Sequence, residues 1–168
     1  MMQFTNRQSL TGNFSTVGNM DDEEDFGPSI RCVMFALENE IYGIQVSKIR
    51  EVLRVGNIRA VPGSSRQVLG VINVRGVIVT VIDSRVMFGL ASKQVDDLSR
   101  IIIVELDDER TVGIMVDFVM EVKDIPEKKF EPLSSTKDNA SRNIQGIAHF
   151  QDSVIILLDV DTMFYIHE

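Results

Sequence analysis

From Ile30 onward the apolar residues fall in short runs, rich in valine and isoleucine and broken by glycine, asparagine and charged side chains. Runs of that length, bounded by turn formers, are the signature of β-strands rather than of amphipathic helices. They predict strands over 31–37, 41–46, 51–55, 69–74, 77–82, 100–106, 111–116, 119–123, 146–150 and 154–158, with helix confined to short turns. The expected fold class is all-β. Within this pattern lies a repeat. The segment Tyr42-Gly43-Ile44-Gln45-Val46-Ser47-Lys48-Ile49-Arg50-Glu51-Val52 matches Val112-Gly113-Ile114-Met115-Val116-Asp117-Phe118-Val119-Met120-Glu121-Val122 at a constant offset of 70. Further on, Gly70-Val71 answers Gly146-Ile147, and the run Ile78 to Asp83 followed by Met87-Phe88 answers Val154 to Asp159 followed by Met163-Phe164, now at an offset of 76.

Each half thus carries about five strands in the same order, and a sheet that small exposes two edges unless it closes on itself. Two barrels packed side by side follow, the first over roughly 30–95 and the second over roughly 96–168, with exchange of strands between them left open. Features shared by the halves read as fold. Gly43 and Gly113 suit strand interiors where another backbone passes closely or the strand bends. Asp83 and Asp159 each end a strand before a short apolar segment, which predicts capping of a one-turn helix. Features not shared are better candidates for function. The hairpin after Gly70 turns at Asn73-Val74-Arg75-Gly76, its counterpart at Phe150-Gln151-Asp152-Ser153, so Arg75 stands without an equivalent.

Composition narrows the function. The 168 residues suffice for a real core without staples. The formal net charge of −8 argues against nucleic acid, whose binding needs clustered cations. Part of that charge lies in Asp21-Asp22-Glu23-Glu24-Asp25, within a stretch 1–29 that is poor in apolar runs and predicts a flexible acidic extension ahead of a folded unit over 30–168. No run is long and apolar enough for a membrane helix, so no membrane insertion is expected. The N-terminus shows no secretory pattern, and the lone Cys32 inside an apolar run fits a core residue in a reducing cytoplasm.

Catalytic chemistry finds little support. Two β lobes each ending a strand in aspartate invite comparison with aspartic proteases, but Ile82-Asp83-Ser84-Arg85 and Leu158-Asp159-Val160-Asp161 lack the glycine that lets substrate approach the backbone. The histidines are His149 and His167, with no metal-ligand spacing around them, so no metal is expected. There is no phosphate-cradling loop, nucleophile elbow or dinucleotide fingerprint, and no cofactor is expected.

The ordered series Tyr42-Gly43-Ile44, Ile49-Arg50-Glu51-Val52, Pro62, Gly70-Val71-Ile72-Asn73-Val74-Arg75-Gly76-Val77-Ile78, Asp83-Ser84-Arg85 and Val112-Gly113-Ile114-Met115-Val116-Asp117 resembles the CheW family of chemotaxis coupling proteins, from about Cys32 to Phe164. The family usually has leucine where Val74 and Ser84 stand. The resemblance implies two intertwined five-stranded SH3-like barrels with a hydrophobic groove between them and no catalysis. It implies a cytoplasmic adaptor, recruited to membrane-associated receptor arrays, that binds the regulatory domain of a histidine kinase and the cytoplasmic hairpin tip of methyl-accepting chemoreceptors. Carried over by motif, Arg75, Glu51, Ile49, Gly70, Val71 and Val122 lie at or near the coupling surfaces. Set against these roles, Ile49, Val71 and Val122 also suit a core, Glu51 recurs as Glu121, and Gly70 recurs as Gly146. Two other readings share the architecture: a coupling protein serving surface motility or another output, and a peptide-binding β-barrel scaffold outside signalling.

Overall fold

A computed structural model describes residues 27–132 and 143–165. The acidic run 21–25, most of the 1–29 extension and His167 lie outside the described residues. The elements are β1 (Ser29–Leu37), β2 (Glu40–Gln45), a 3-10 turn (Val46–Lys48), β3 (Ile49–Arg54), β4 (Val68–Val74), β5 (Val77–Asp83), α1 (Ser84–Met87), β6 (Arg100–Glu105), β7 (Thr111–Val116), β8 (Phe118–Pro126), a 3-10 turn (Glu127–Lys129), β9 (Phe130–Glu131), β10 (Ile144–Phe150), β11 (Ser153–Leu158) and α2 (Val160–Met163). All ten strands expected from the apolar runs form. The two-residue β9 escaped the pattern because so short a pairing has no periodicity.

The strands sort into two sheets, β3-β6-β7-β5-β4 and β8-β1-β2-β11-β10-β9. Under the repeat, β1 to β5 correspond to β6, β7, β8, β10 and β11, so the two orders are one order with the halves exchanged. Each barrel takes two strands from one half and three or more from the other. The halves meet in two equivalent parallel pairs, β5 with β7 and β11 with β2. Gly113 pairs with Val81 in the first and Gly43 with Leu157 in the second. What approaches these glycines corrects the sequence reading. A Cβ on Gly113 would lie 3.0 Å from Ile101 Cγ2, and one on Gly43 would lie 3.5 Å from Ile155 Cγ2, so the missing side chains make room for side chains and not for backbone.

Three apolar clusters hold this arrangement together. Val79, Val81, Ile101, Ile103 and Met115 fill one barrel, and Cys32, Met34, Ile125, Ala148, Ile155 and Leu157 fill the other. The largest cluster lies between the sheets and draws Phe35, Leu37 and Ile44 from one and Ile102, Val104 and Ile114 from the other, all within 1% of full burial or completely buried. Rings continue across it, Phe35 stacking on Tyr42 at 5.6 Å and Tyr42 on Phe88 at 5.2 Å. Each fully buried side chain of this size contributes up to about 1.5–3 kcal/mol. Because that contribution is shared by both sheets, neither barrel keeps its share alone.

The one-turn helices form as their aspartates predict. Asp83 accepts the Arg85 amide at 3.0 Å and the Ser92 hydroxyl at 2.9 Å, and Asp159 accepts the Thr162 amide at 3.1 Å. Beyond each cap a cation joins two carboxylates where the chain crosses between sheets. At the β7–β8 crossover, Arg85 pairs with Asp117 at 2.6 Å and with Glu38. At the β2–β3 crossover, Lys48 pairs with Asp107 and Asp161, both at 2.5 Å. The helix supplies the cation in the first clamp and an anion in the second, so equivalent contacts have opposite polarity.

Candidate functional site

The site is built on the β4–β5 hairpin. Its two-residue loop places Arg75 at φ 52° and Gly76 at φ 88°, the left-handed pair of a type I′ turn that matches strand twist. Asn73 Oδ1 accepts the Gly76 amide at 2.8 Å and stiffens the tip. Arg75 then reaches from the end of β4 to β3, the two outer strands of their sheet. Its Nη2 donates to Glu51 Oε1 at 2.9 Å while Nη1 donates to Oε2. The pair is lopsided, with the Arg75 side chain 72% exposed and that of Glu51 only 11%. Arg75 therefore lids a sheltered carboxylate. Its hydrogen bond holds Glu51 below the usual carboxylate range against the opposing effect of burial, and Glu51 in turn raises Arg75.

The second barrel closes its seam in the same way with different chemistry, and this corrects the reading that Arg75 has no equivalent. Gln151, at φ 52°, holds the same place in the β10–β11 turn and accepts a hydrogen bond from Lys123 on β8. The Lys123 ammonium also lies 5.7 Å from the centroid of the Phe150 ring. The charge differs between the tips but the reach across the seam does not. Glu121, the counterpart of Glu51, is exposed.

The remaining named residues divide. Gly70 is fixed by backbone: at φ 147° it pairs with Val81, and a Cβ there would fall 2.2 Å from the Arg59 carbonyl oxygen. That carbonyl accepts the Val71 amide, and the Arg59 amide donates to the Val71 carbonyl, both at 2.9 Å. Gly146 faces Glu131 in the same manner at 3.3 Å. Val71 is half-buried, belongs to none of the three core clusters, and lines a groove of about 570 Å³ with Asn57, Ile58, Asn73 and Ile78. Ile49 opens β3 and packs on the inter-sheet core. Val122 lies on β8, in the other sheet, opposite Val33. Five of the six named residues thus share one sheet. Ile78, 63% exposed in the same groove, was missed from sequence because an isoleucine in a strand reads as core.

Where residues of both sheets meet around Lys48, a concavity of about 850 Å³ is lined by Gln45, Lys48, Asp107, Asp161, Met163 and Tyr165. Burial pushes the Cys32 thiol up to about 12, Asp124 adding to the effect, so it is a packing residue and no nucleophile. Among the described residues no group of three or more metal-ligating side chains converges, and no helix is long and apolar enough to cross a membrane.

The Klebsiella aerogenes chemotaxis protein CheW is 29% identical over 132 residues, covering 78% of this chain and 79% of that one. The Helicobacter pylori chemotaxis protein CheW is 26% identical over 139 residues, with 83% and 84% covered. The crystal structure of the scaffolding protein TtCheW from Thermoanaerobacter tengcongensis superposes with a TM-score of 0.75 at 33% identity, covering 83% of this chain and 94% of that one, and shares the paired SH3-like barrels. A family model described as the CheW-like domain matches residues 31–168, and the chain belongs to that family.

Proposed function

We propose that the protein is a non-enzymatic coupling adaptor of chemotaxis signalling, linking the cytoplasmic tip of chemoreceptors to a histidine kinase. Family membership over residues 31–168 carries this reading. The coupling unit is the folded part that begins with β1 at Ser29, with the acidic residues ahead of it an extension outside that unit, and the adaptor works in the cytoplasm at membrane-associated receptor arrays. The Arg75–Glu51 pair and the Val71 groove form the coupling face. An exposed guanidinium on a stiff hairpin tip offers charge-assisted contacts to a partner, and the groove beside it takes an apolar side chain.

The adaptor itself does no chemistry, so it transmits a signal only by binding the partners' alternative states with unequal affinity. The shared core suits this task, since a close-packed interior passes a load from one barrel to the other instead of yielding. The test is titration of the purified protein with an isolated kinase regulatory domain and, separately, with a receptor hairpin fragment. Saturable binding to both, weakened roughly tenfold or more for at least one by Arg75→Glu, is the expected result. Binding to neither overturns the reading.

A further inference from the structure

The charge along this chain is unevenly placed. Residues 48–75 hold six cations, Lys48, Arg50, Arg54, Arg59, Arg66 and Arg75, against the one carboxylate of Glu51. Of 17 cations and 25 carboxylates this leaves 11 and 24 elsewhere, a net of −13 for the rest of the chain. Within the fold, Lys48 pairs with Asp107 and Asp161, Arg50 with Glu105, and Arg75 with Glu51. Arg54, Arg59 and Arg66 are exposed and make no ion pair among the described residues. Arg54 goes further and stands directly across from Arg100 in the β3–β6 ladder, a like-charge juxtaposition that costs stability. A fold with carboxylates in such excess leaves these arginines unmatched.

Their placement gives them a common use. Arg66 lies two residues before β4, Arg59 pairs with Val71 along its outer edge, and Arg75 follows it directly, while Arg54 ends β3, the other outer strand, which the Arg75–Glu51 pair ties to β4. The groove lined by Ile58, Val71 and Ile78 opens along the same edge. We infer that this seam docks an acidic protein face bearing a protruding aliphatic side chain, the carboxylates meeting Arg59 and Arg66 along β4 and Arg54 at the end of β3, and the side chain entering the groove. The inference rests on the coupling function and specifies the partner's chemistry at that face. A protein partner is favoured over an anionic bilayer or a nucleic acid. Those are extended polyanions that would also meet the carboxylates on the rest of the fold, whereas a compact acidic patch within about one Debye length meets only the arginines.

Exposed charges at a rim act mostly on the rate of encounter. The experiment measures association rates of the full-length protein with the kinase regulatory domain and with the receptor hairpin, at low and high salt. It is run for the parent, for R54E/R59E/R66E and for R54Q/R59Q/R66Q, the second triple retaining polar side chains of similar reach should the reversal disturb folding. One partner is expected to associate roughly tenfold or more slowly at high salt. Both triples should lose most of that dependence while melting like the parent, and exchanging the partner's acidic residues for lysine should restore association with the reversed triple. If the partners bind the parent and both triples at equal, salt-insensitive rates, the inference fails while the adaptor function stands. If neither partner binds the parent, both fail. Salt-sensitive binding of the arginines only to phosphatidylglycerol vesicles or duplex DNA, or only to a second copy of this chain, also overturns the inference.

Discussion

At Arg75, fold and function make different demands on one side chain. The guanidinium is largely in water, so a partner can reach it, yet it also screens a carboxylate that is not. The Glu51 value is depressed in the folded state, so the pair's stabilisation is present above the ordinary carboxylate range and lost as pH falls through the lowered value. The melting-temperature gap between parent and Arg75→Ala should therefore be largest at neutral pH and close on acidification below that range; a gap unchanged with pH would show that Glu51 does not feel Arg75. Gly70 makes the contrasting case of a residue set by backbone alone. Gly70→Ala should cost at least about 1 kcal/mol in denaturant unfolding, because it meets both a left-handed φ and the Arg59 carbonyl. Both residues were picked out from sequence, but their reasons were not. Glu51 lies 24 positions from Arg75 and Arg59 lies 11 from Gly70, and nothing in that spacing says that a barrel seam or a crossing backbone brings them together.

Individual strands and caps were largely legible, because short apolar runs bounded by turn formers and an aspartate before a short apolar turn are local signals. The clamps were not. Arg85 aligns with Asp161 under the repeat and looks like a break in it, whereas the structure shows one geometry with its charges exchanged. Arg85 is 11% exposed and also donates to the Ala91 carbonyl at 2.8 Å, so Arg85→Ala should cost about 1–3 kcal/mol by chemical denaturation. At the other clamp burial opposes the charge on Asp161, but Lys48 and the Asp107 amide outweigh it and hold the carboxyl low. The resulting stability is present above the usual carboxylate range and lost as pH drops through the lowered value. Asp161→Asn should accordingly remove part of the acid-side loss of stability seen in the parent.

For the whole molecule, the repeat in the sequence announced two similar lobes but could not say how their strands are shared. The same short apolar run serves a strand paired within its own half or across halves, and only the inter-sheet packing decides. The exchange makes the lobes inseparable. Ile102→Ala, in the shared core, should lower stability by about 2–5 kcal/mol and move one cooperative transition without splitting it; two resolved transitions would mean lobes that fold apart. Coupling is likewise a property of the whole molecule, since it needs one body held by two partners. The most direct test reconstitutes a histidine kinase with its chemoreceptor in the presence and absence of this protein. Kinase activity under receptor control only when the protein is present, and lost with Arg75→Glu, is the predicted result; receptor control that is equal without the protein, or never appears with it, contradicts the account.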